Sequence, residues 1–280
     1  MARSARRTMP ELPEVETTVR GLTPLLAGER LTRVATFRAD LRRPFPDDLV
    51  QRLTGATVTH LTRRAKYGLV HTDRDDVMIF HLGMSGRWRT DGAEPEKHDH
   101  LLLETGSGRR LYLHDPRRFG SVDLVAGDPE TAFAPFRALG PEPLTDALSA
   151  DYLARAFVGR TTPIKLALLD QRMIAGLGNI YVCEALNLTG IAPTRSAGSI
   201  GRAKLAALVA AIRAVLDAAI AAGGSSLRDF LHPDGALGYF ANDWRVYGRE
   251  GEACPCARGG TVSRIVQGGR STFFCPKCQR

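Results

Sequence analysis

Short apolar and β-branched runs, interrupted by glycines and charged residues, dominate residues 31 to 125. Three of them are VTHLTRRAKYGLVHT at 58–72, VMIFHLGMSG at 77–86 and HLLLETGSGRRLYLH at 100–114. Runs of this length and composition are typical of β-strands, and GSGRR inside the third run indicates a hairpin turn. The pattern therefore predicts a β-rich domain in the first half of the chain.

Apolar residues recur with the period of an α-helix near the start of the chain and in its second half. Near the start, a helix is predicted from Pro13, with Val15, Val19 and Leu22 on its apolar face. The stretch ALGPEPLTDA at 138–147 is rich in breakers and separates the two halves. Beyond it, the helical pattern predicts helices over residues 149–158, 162–174, 180–190 and 199–222.

Two local signals support the helices of the second half. Ser149 is placed to cap the first of them, and Gly223–Gly224 ends the last. The whole pattern predicts an α+β protein with two domains. Its expected parts are an N-terminal extension (1–8), a β-rich domain (9–138), a linker (139–147), a helical domain (148–244) and a cysteine-bearing hairpin (245–280).

Composition narrows the class of protein. The chain has 280 residues and a formal net charge of +8, with an isoelectric point near 9.6, which favours a polyanionic partner without establishing one. No apolar run reaches the length of a membrane span, and no apolar segment follows the basic start MARSARRT, as a secretory signal would require. We therefore expect a cytoplasmic protein, and nothing in the sequence indicates an obligate oligomer, so a monomer is expected.

Four of the five cysteines lie within the last 27 residues. Cys254 and Cys256 form a C-x-C pair, and Cys275 and Cys278 form a C-x₂-C pair after 18 intervening residues. Clustered cysteines of this kind favour one zinc ion, although the first pair is one residue shorter than a usual knuckle. The alternative is a degenerate ribbon that holds zinc weakly or not at all. The remaining thiol, Cys183, is expected to be a buried structural group.

The tail also places an arginine at a turn. In RIVQGGRST the glycines mark a hairpin tip, and Arg270 follows them directly. Such an arginine can contact phosphate, or it can be an ordinary solvated turn residue.

Two further motifs combine turns with side chains suited to DNA. HDPRRFG at 114–120 sets two arginines beside a phenylalanine, which could contact phosphate and wedge into a base stack, or be surface and core residues. HLGMSGRW at 81–88 flanks Met84 with glycines that can place it on a loop tip, although methionine is more often a core residue.

A helix start and a strand supply two more candidates. In AGLGNIY, Asn179 opens a helix whose N–H groups can bind phosphate, or it is simply the N-cap. In RRAKYGL, Lys66 lies in a strand-like run, where an inward lysine would be costly unless paired or functional.

The stretch RRTMPELPEVETT holds a possible nucleophile. Removal of Met9 would expose the secondary amine of Pro10, which can form an iminium with a sugar aldehyde carbon. Glu11 would stand beside it as acid or base, and Glu14 lies three residues further.

Taken together, these motifs resemble the bacterial formamidopyrimidine-DNA glycosylase family. The resemblance runs from Met9 to the C-terminus through MPELPEVET, RRAKY, HLGMSG, KHDH, DPRRFG, LGPEPL, LLDQ, AGLGNIY, GGSSLRDF, GYF, VYGREGEAC and GRSTFFCPKCQ. PELPEVE is similar to the purine-lesion branch and differs from endonuclease VIII, the relative that acts on oxidised pyrimidines.

The resemblance implies a fold and an activity. The fold would be an N-terminal β-sandwich with flanking helices, followed by a helix-two-turns-helix domain with a zinc-ribbon hairpin. The activity would be that of a base-excision repair glycosylase with abasic-site lyase activity. It would act on double-stranded DNA containing 8-oxoguanine or formamidopyrimidines and work at the nucleoid.

The resemblance also implies site residues. Pro10 would attack C1′, Glu11 would donate a proton, Lys66 would assist β-elimination, Arg270 would assist δ-elimination or contact phosphate, and Glu14 would lie in the pocket. Met84, Arg117 and Phe119 would fill the gap that the flipped base leaves in the duplex. The DNA backbone would be held by His98, Arg160, Lys165 and Asn179. The metal ligands would be Cys254, Cys256, Cys275 and Cys278, with one structural Zn²⁺. A loop over residues 225–239 would close over the lesion.

Two departures from the family pattern leave alternatives open. Eight residues precede Met9, and if they persist Pro10 is an amide without a basic lone pair, so the chain would be processed after synthesis or would bind lesions silently. We expect Met9 to be the true start. The CPC pair is the other departure, because the family has a longer spacing there. Endonuclease VIII-like activity and a general zinc-ribbon nucleic-acid module are the remaining rival hypotheses.

Overall fold

The computed structural model describes residues 9–90, 94–224 and 244–280, so the predicted extension (1–8) and the predicted lesion loop (225–239) lie outside the described residues. In the described part the chain forms two compact units. Unit 1 holds residues 9–137 and 222–224, and unit 2 holds residues 138–221 and 244–280. Residues 139–147, predicted as a linker, belong to unit 2 together with the cysteine hairpin.

The described residues of unit 1 form two four-stranded antiparallel sheets. The first sheet has the order β1-β6-β7-β5 and the second β2-β3-β4-β8. The strands are β1 (Leu31–Thr36), β2 (Val58–Arg64), β3 (Tyr67–Thr72), β4 (Asp76–His81), β5 (Arg87–Thr90), β6 (Asp99–Thr105), β7 (Arg110–His114) and β8 (Ser121–Ala126). Rings from both sheets meet in the core, where Phe80 contacts Trp88 edge to face with centroids 5.5 Å apart. The predicted β-sandwich and the hairpin turn at GSGRR are confirmed.

Three α-helices accompany these sheets in the described residues of unit 1. They are α1 (Leu12–Leu26), α2 (Leu49–Leu53) and α3 (Pro129–Ala132). Helix α1 begins one residue before the predicted Pro13, and it packs on β2 and β3. Its predicted apolar face is confirmed, because Val15, Val19 and Leu22 are all buried. Helix α1 therefore fixes the Pro10 end of the chain against the β2–β3 hairpin.

Where the structure describes it, unit 2 combines four α-helices with one hairpin. They are α4 (Ala150–Phe157), α5 (Ile164–Leu169), α6 (Asn179–Leu188) and α7 (Arg202–Ala221), followed by strands β9 (Ser263–Gln267) and β10 (Arg270–Phe274). The Ser149 hydroxyl accepts from Tyr152 N at 3.1 Å, which confirms the predicted cap of α4.

One predicted helix of unit 2 is wrong in extent. The helix expected over 162–174 ends at Leu169, because the chain turns at Asp170, whose carbonyl accepts from Met173 N. The stripe of α7 is confirmed, since Leu205, Leu208 and Ile212 are buried against neighbouring elements. Among the described residues, no helix combines the length and apolarity needed to cross a membrane.

Candidate active site and nucleic-acid interface

The N-terminal end of α1 brings two carboxylates next to Pro10. Pro10 is buried directly ahead of the helix, and Glu11 is the N-cap residue. The Glu14 carboxylate accepts a hydrogen bond from the Glu11 backbone N at 2.9 Å, as in a capping box. Both acids are almost fully buried, with 4% exposure at Glu11 and none at Glu14. The helix start therefore holds two carboxylates in defined positions beside the candidate nucleophile.

The predicted lesion loop departs from this same place. A Cβ built on Gly224 would lie 3.5 Å from Cγ and Oε1 of Glu14, so the Gly224 backbone packs against the Glu14 side chain. Gly224 also has a φ of +79°, which favours glycine. Gly224, the last described residue before that segment, thus lies beside the Glu14 side chain.

Lys66 occupies a turn and not a strand, which corrects the sequence-based interpretation. Strands β2 and β3 pair Arg64 with Tyr67, so Ala65 and Lys66 form the two-residue loop of a hairpin. Ala65 has a φ of +53°, in the left-handed region. Lys66 is only 7% exposed, so this turn residue is largely shielded from solvent.

His81 is a functional candidate that sequence reasoning missed. Burial lowers the pKa of His81, the charge of Lys66 lowers it further, and the result is about 4. The Gly83 N–H donates to Nδ1 at 3.0 Å, so the neutral ring carries its proton on Nε2. The ring is therefore a neutral donor in the neighbourhood of Lys66. Its place at the start of the HLGMSG motif is the signal that could have identified it.

The lowered pKa of His81 predicts a pH dependence of stability. Below pH 6.5 the unfolded chain binds a proton on His81 that the folded chain does not take up until about pH 4. Lowering the pH across this window should therefore cost the wild type about 3 kcal/mol more than it costs His81→Gln, whose amide can still accept from Gly83 N. Urea unfolding of both proteins at several pH values measures this difference. Parallel stability curves would contradict the prediction.

Asp115 and Ser85 connect two loops of unit 1. The Ser85 hydroxyl donates to Asp115 Oδ1 at 2.6 Å and accepts from Arg117 N at 3.2 Å. The other oxygen, Oδ2, accepts from Gly120 N at 2.8 Å. Asp115 is fully buried, so these hydrogen bonds satisfy a carboxylate that would otherwise be costly to bury. The loop after β4 and the loop after β7 are thereby held together.

These two loops carry the side chains that were predicted to act as a wedge. Phe119 is 42% exposed, and the Arg117 guanidinium carbon lies 4.7 Å from the centroid of its ring. A Cβ at Gly83 would come within 2.3 Å of the Phe119 carbonyl carbon, so only glycine allows the loops to approach this closely. Met84 follows Gly83 and is partly exposed. The structure therefore brings Met84, Arg117 and Phe119 together on one surface.

His98 lies at the edge of the same region. Its carbonyl accepts from Asp115 N at 2.9 Å, and its ring meets the His114 ring edge to face with centroids 5.8 Å apart. His114 Nδ1 is 2.9 Å from Asp99 Oδ1. Burial alone would raise the pKa of Asp99, but hydrogen bonds from His114 and Arg89 outweigh it and bring the value to about 2. A buried, ionised carboxylate therefore holds His114, whose ring packs against that of His98.

In unit 2, Asn179 links the start of α6 to the hairpin. Gly178 is the N-cap of α6, so the interpretation of Asn179 as the N-cap is wrong. Its Nδ2 donates to the Ser271 carbonyl at 2.9 Å and to Tyr247 Oη at 3.3 Å. Tyr247 is a second candidate for the nucleic-acid interface that sequence reasoning missed, because no local pattern places it beside Asn179.

The three basic residues predicted in unit 2 have different environments. Lys165 is fully buried, and its Nζ donates to Thr272 Oγ1 at 2.6 Å, so it fixes β10 and exposes no charge to solvent. Arg270 is exposed at the first position of β10, directly after the tip. Arg160 is exposed, and its Nε donates to the Ala156 carbonyl at 2.7 Å. Two of the three thus present cationic groups to solvent.

The four tail cysteines converge. The sulfur atoms of Cys254, Cys256, Cys275 and Cys278 all lie within 4.8 Å of one another, and those of Cys254 and Cys278 are 4.0 Å apart. Zinc–sulfur bonds of about 2.3 Å in a tetrahedron place sulfurs about 3.8 Å apart, so this arrangement fits a zinc ion. The short C-x-C spacing therefore still allows the Cys256 thiol to join the cluster.

Neighbouring groups support this cluster. Asn187 Nδ2 lies 3.7 Å from Cys254 Sγ and 3.8 Å from Cys278 Sγ, at hydrogen-bonding distance for sulfur. A Cβ at Gly260 would come within 2.3 Å of Cys275 Sγ, so glycine is required there. Cys183 is 1% exposed in α6 and lies outside the cluster, which confirms its interpretation as a buried thiol.

Three family models match this chain, in an order that follows its elements. Residues 9–122 match the formamidopyrimidine-DNA glycosylase N-terminal domain, residues 139–231 the H2TH domain of the same enzymes, and residues 254–280 a zinc finger found in FPG and IleRS.

Relatives and solved structures agree with these matches. A formamidopyrimidine-DNA glycosylase of Sphingopyxis alaskensis is 74% identical over 272 residues, which are 97% of this chain and 100% of that protein. The crystal structure of the MutM (FPG) protein from Thermus thermophilus superposes with a TM-score of 0.87 at 40% identity, over 96% of this chain and 98% of that one. A mutant FPG of Lactococcus lactis in complex with DNA containing Fapy-dG gives a TM-score of 0.89 at 34% identity, over 97% and 100% of the two chains.

The fold and the site define a DNA glycosylase of base-excision repair, with a zinc-finger region whose four cysteines can bind zinc. Similarity at this level extends over nearly the full length of the chain. The chain belongs to the formamidopyrimidine-DNA glycosylase family.

Proposed function

We propose that this enzyme is bifunctional, excising oxidised purines such as 8-oxoguanine and formamidopyrimidines and then cleaving the resulting abasic site. The proposal rests mainly on the N-terminal end of α1, where Pro10 lies next to two buried carboxylates, those of Glu11 and Glu14. The Fapy-dG complex of the Lactococcus lactis relative supports the lesion class.

The proposed chemistry needs a free amine at Pro10. The family model that begins at residue 9, and the match of 272 residues to a relative over its whole length, support a working form that starts at Met9. Loss of Met9 would then leave the Pro10 amine free. The amine then attacks C1′ of the lesion nucleotide and loses its proton. The bond from C1′ to the base breaks, and the base leaves with the electron pair and gains a proton.

An iminium forms as the sugar ring opens. The nitrogen lone pair makes a double bond to C1′, the C1′–O4′ bond breaks, and Glu11 supplies the proton that O4′ takes up. β-Elimination then removes a proton from C2′ and expels the 3′ phosphate. Lys66 assists this step from its turn, and Arg270 contacts phosphate or assists the second, δ-elimination.

DNA binding draws on residues of each unit. In unit 1, Met84, Arg117 and Phe119 fill the gap left by the flipped nucleotide, which offsets an unstacking cost of a few kcal/mol, and His98 contacts the backbone. In unit 2, Arg160, Asn179 and Arg270 contact the backbone. Lys165 contributes by holding β10 in position through Thr272.

The zinc ion would have a structural role. When bound, it would be held by the four thiolates of Cys254, Cys256, Cys275 and Cys278 and would add cross-links to a region with a small core. The β9–β10 hairpin, which carries Arg270, would then be kept in register with the cysteine cluster. We propose that the protein acts as a monomer.

The test is a single-turnover assay on duplexes that contain 8-oxoguanine. We expect free 8-oxoguanine together with strands ending in phosphate on both sides of a one-nucleotide gap. A matched duplex with thymine glycol separates this activity from that of endonuclease VIII, and should react at least tenfold more slowly. Faster reaction with thymine glycol, or base release without strand cleavage, would contradict the proposal.

A further inference from the structure

Arg63 connects helix α1 to the turn that carries Lys66. Its Nε donates to Glu16 Oε2 at 2.9 Å, and its Nη1 donates to the Ala65 carbonyl at 3.0 Å. Glu16 lies in α1, five residues after Glu11. One guanidinium therefore contacts both the helix that begins at Glu11 and the peptide that precedes Lys66.

The ion pair is partly shielded from solvent. The Arg63 side chain is 10% exposed and that of Glu16 is 21% exposed. Burial would raise the pKa of Glu16, but hydrogen bonds from Arg20 and Arg63 outweigh it and lower the pKa, so the carboxylate is charged. A charged pair in this setting holds its geometry better than a pair of flexible surface side chains.

The second contact of Arg63 falls on a strained residue. Ala65 is buried with a φ of +53°, a region that L-residues with a Cβ adopt at an energetic cost. Its carbonyl shares a rigid peptide plane with the N–H of Lys66. A hydrogen bond that orients this carbonyl therefore also orients the backbone of Lys66.

We infer that Arg63 and Glu16 are positioning residues, which set Lys66 relative to the Pro10 end of α1. This inference rests on the proposed function, because it assigns Lys66 to the elimination step and Pro10 to the iminium. Neither residue needs to contact DNA in order to act. Both act through the turn, whose orientation determines whether the Lys66 amine can assist loss of the C2′ proton.

Arg20 provides a matched control. It also pairs with Glu16, through Nε and Oε1 at 2.8 Å, but its side chain is 64% exposed. The hydrogen bond to the Ala65 carbonyl is made by Arg63. Replacing Arg20 thus removes an arginine from Glu16 and leaves the link to the turn in place.

The experiment compares the wild type with Arg63→Lys, Arg63→Met, Glu16→Gln and Arg20→Met, all with Pro10 as the confirmed first residue. A duplex with a preformed abasic site isolates two steps: borohydride trapping reports the iminium, and strand cleavage without borohydride reports elimination. We expect Arg63→Lys to keep the ion pair and the wild-type melting temperature, because one ammonium can replace one of the two contacts. Its elimination rate should nevertheless fall at least tenfold, with trapping reduced less than threefold.

The other variants complete the test. Arg63→Met should show the same split between elimination and trapping together with lower stability, Glu16→Gln should resemble Arg63→Lys, and Arg20→Met should react like the wild type. Wild-type elimination in folded Arg63→Lys and Glu16→Gln would overturn the inference. Equal losses of trapping and elimination in every Arg63 variant would also overturn it, since this indicates a general structural role. A wild type that neither traps nor cleaves would instead refute the proposed function.

Discussion

Protein that retains residues 1–8 and Met9 should bind lesion-containing DNA but form no borohydride-trapped adduct, whereas protein that begins at Pro10 should form it readily. The physical reason is the state of one nitrogen. A terminal amine titrates near pH 8 and is a competent nucleophile at neutral pH, while the nitrogen of a Met9–Pro10 peptide is an amide without a basic lone pair. We expect a loss of at least about 10³-fold in the trapping rate.

The sharpest form of this experiment uses one polypeptide in two states. A protease site placed directly before Pro10 allows the same preparation to be assayed before and after cleavage, with intact mass confirming each terminus. Binding to the 8-oxoguanine duplex should differ less than threefold between the two states. An adduct formed by the uncleaved protein would move the nucleophile to another amine. Tight binding without an adduct in either state would leave a silent lesion-binding protein.

Removal of zinc should abolish high-affinity DNA binding, and this is the second large effect we expect. The hairpin has a small core, in which Phe273 and Thr272 are buried, so we expect the metal to supply a large part of its stability. Structural zinc contributes about 10 to 16 kcal/mol to comparable small folds. Chelation, or Cys256→Ser, should therefore lower the affinity for lesion DNA at least 100-fold, as measured by fluorescence anisotropy.

Metal analysis tells whether the CPC pair forms a normal zinc site. The wild type should contain one zinc per chain, and Cys256→Ser should retain less than half of that amount after dialysis. Cys183→Ala is the matched control, because this buried thiol lies outside the cluster and should retain full zinc and affinity. Full affinity in a chelated protein shown to be free of metal would exclude a structural role for the ion.

Several features of the fold followed from local patterns. The apolar faces of α1 and α7, the Ser149 cap and the hairpin turn at GSGRR depend on residues within a few positions of one another, so the periodicity of the sequence predicts them. The same holds for Pro10, Glu11 and Glu14, which share one helix start. Helix α5 was predicted too long because apolar periodicity continues through Met173, while the turn at Asp170 ends the helix.

Other features depended on contacts that no local pattern reveals. Lys66 falls in a strand-like run, yet the pairing of Arg64 with Tyr67 turns the chain there. Lys165 carries a cationic side chain of the kind that contacts DNA, but its amine is buried and donates to Thr272, which lies more than 100 residues later in the chain. The partners of Asn179 are likewise distant, at Tyr247 and Ser271.

The residues of the proposed chemistry lie mostly in contiguous motifs, because Pro10, its neighbouring acids and the paired thiols are fixed by residue identity and short spacing. Their use depends on long-range packing. Three features were decided only by contacts between distant segments. They are the convergence of the short CPC pair on the cysteine cluster, the neutral state of His81 near Lys66, and the link that Arg63 makes between α1 and the Lys66 turn. Burial and through-space charge act between atoms that are close in the fold, and sequence spacing does not encode those distances.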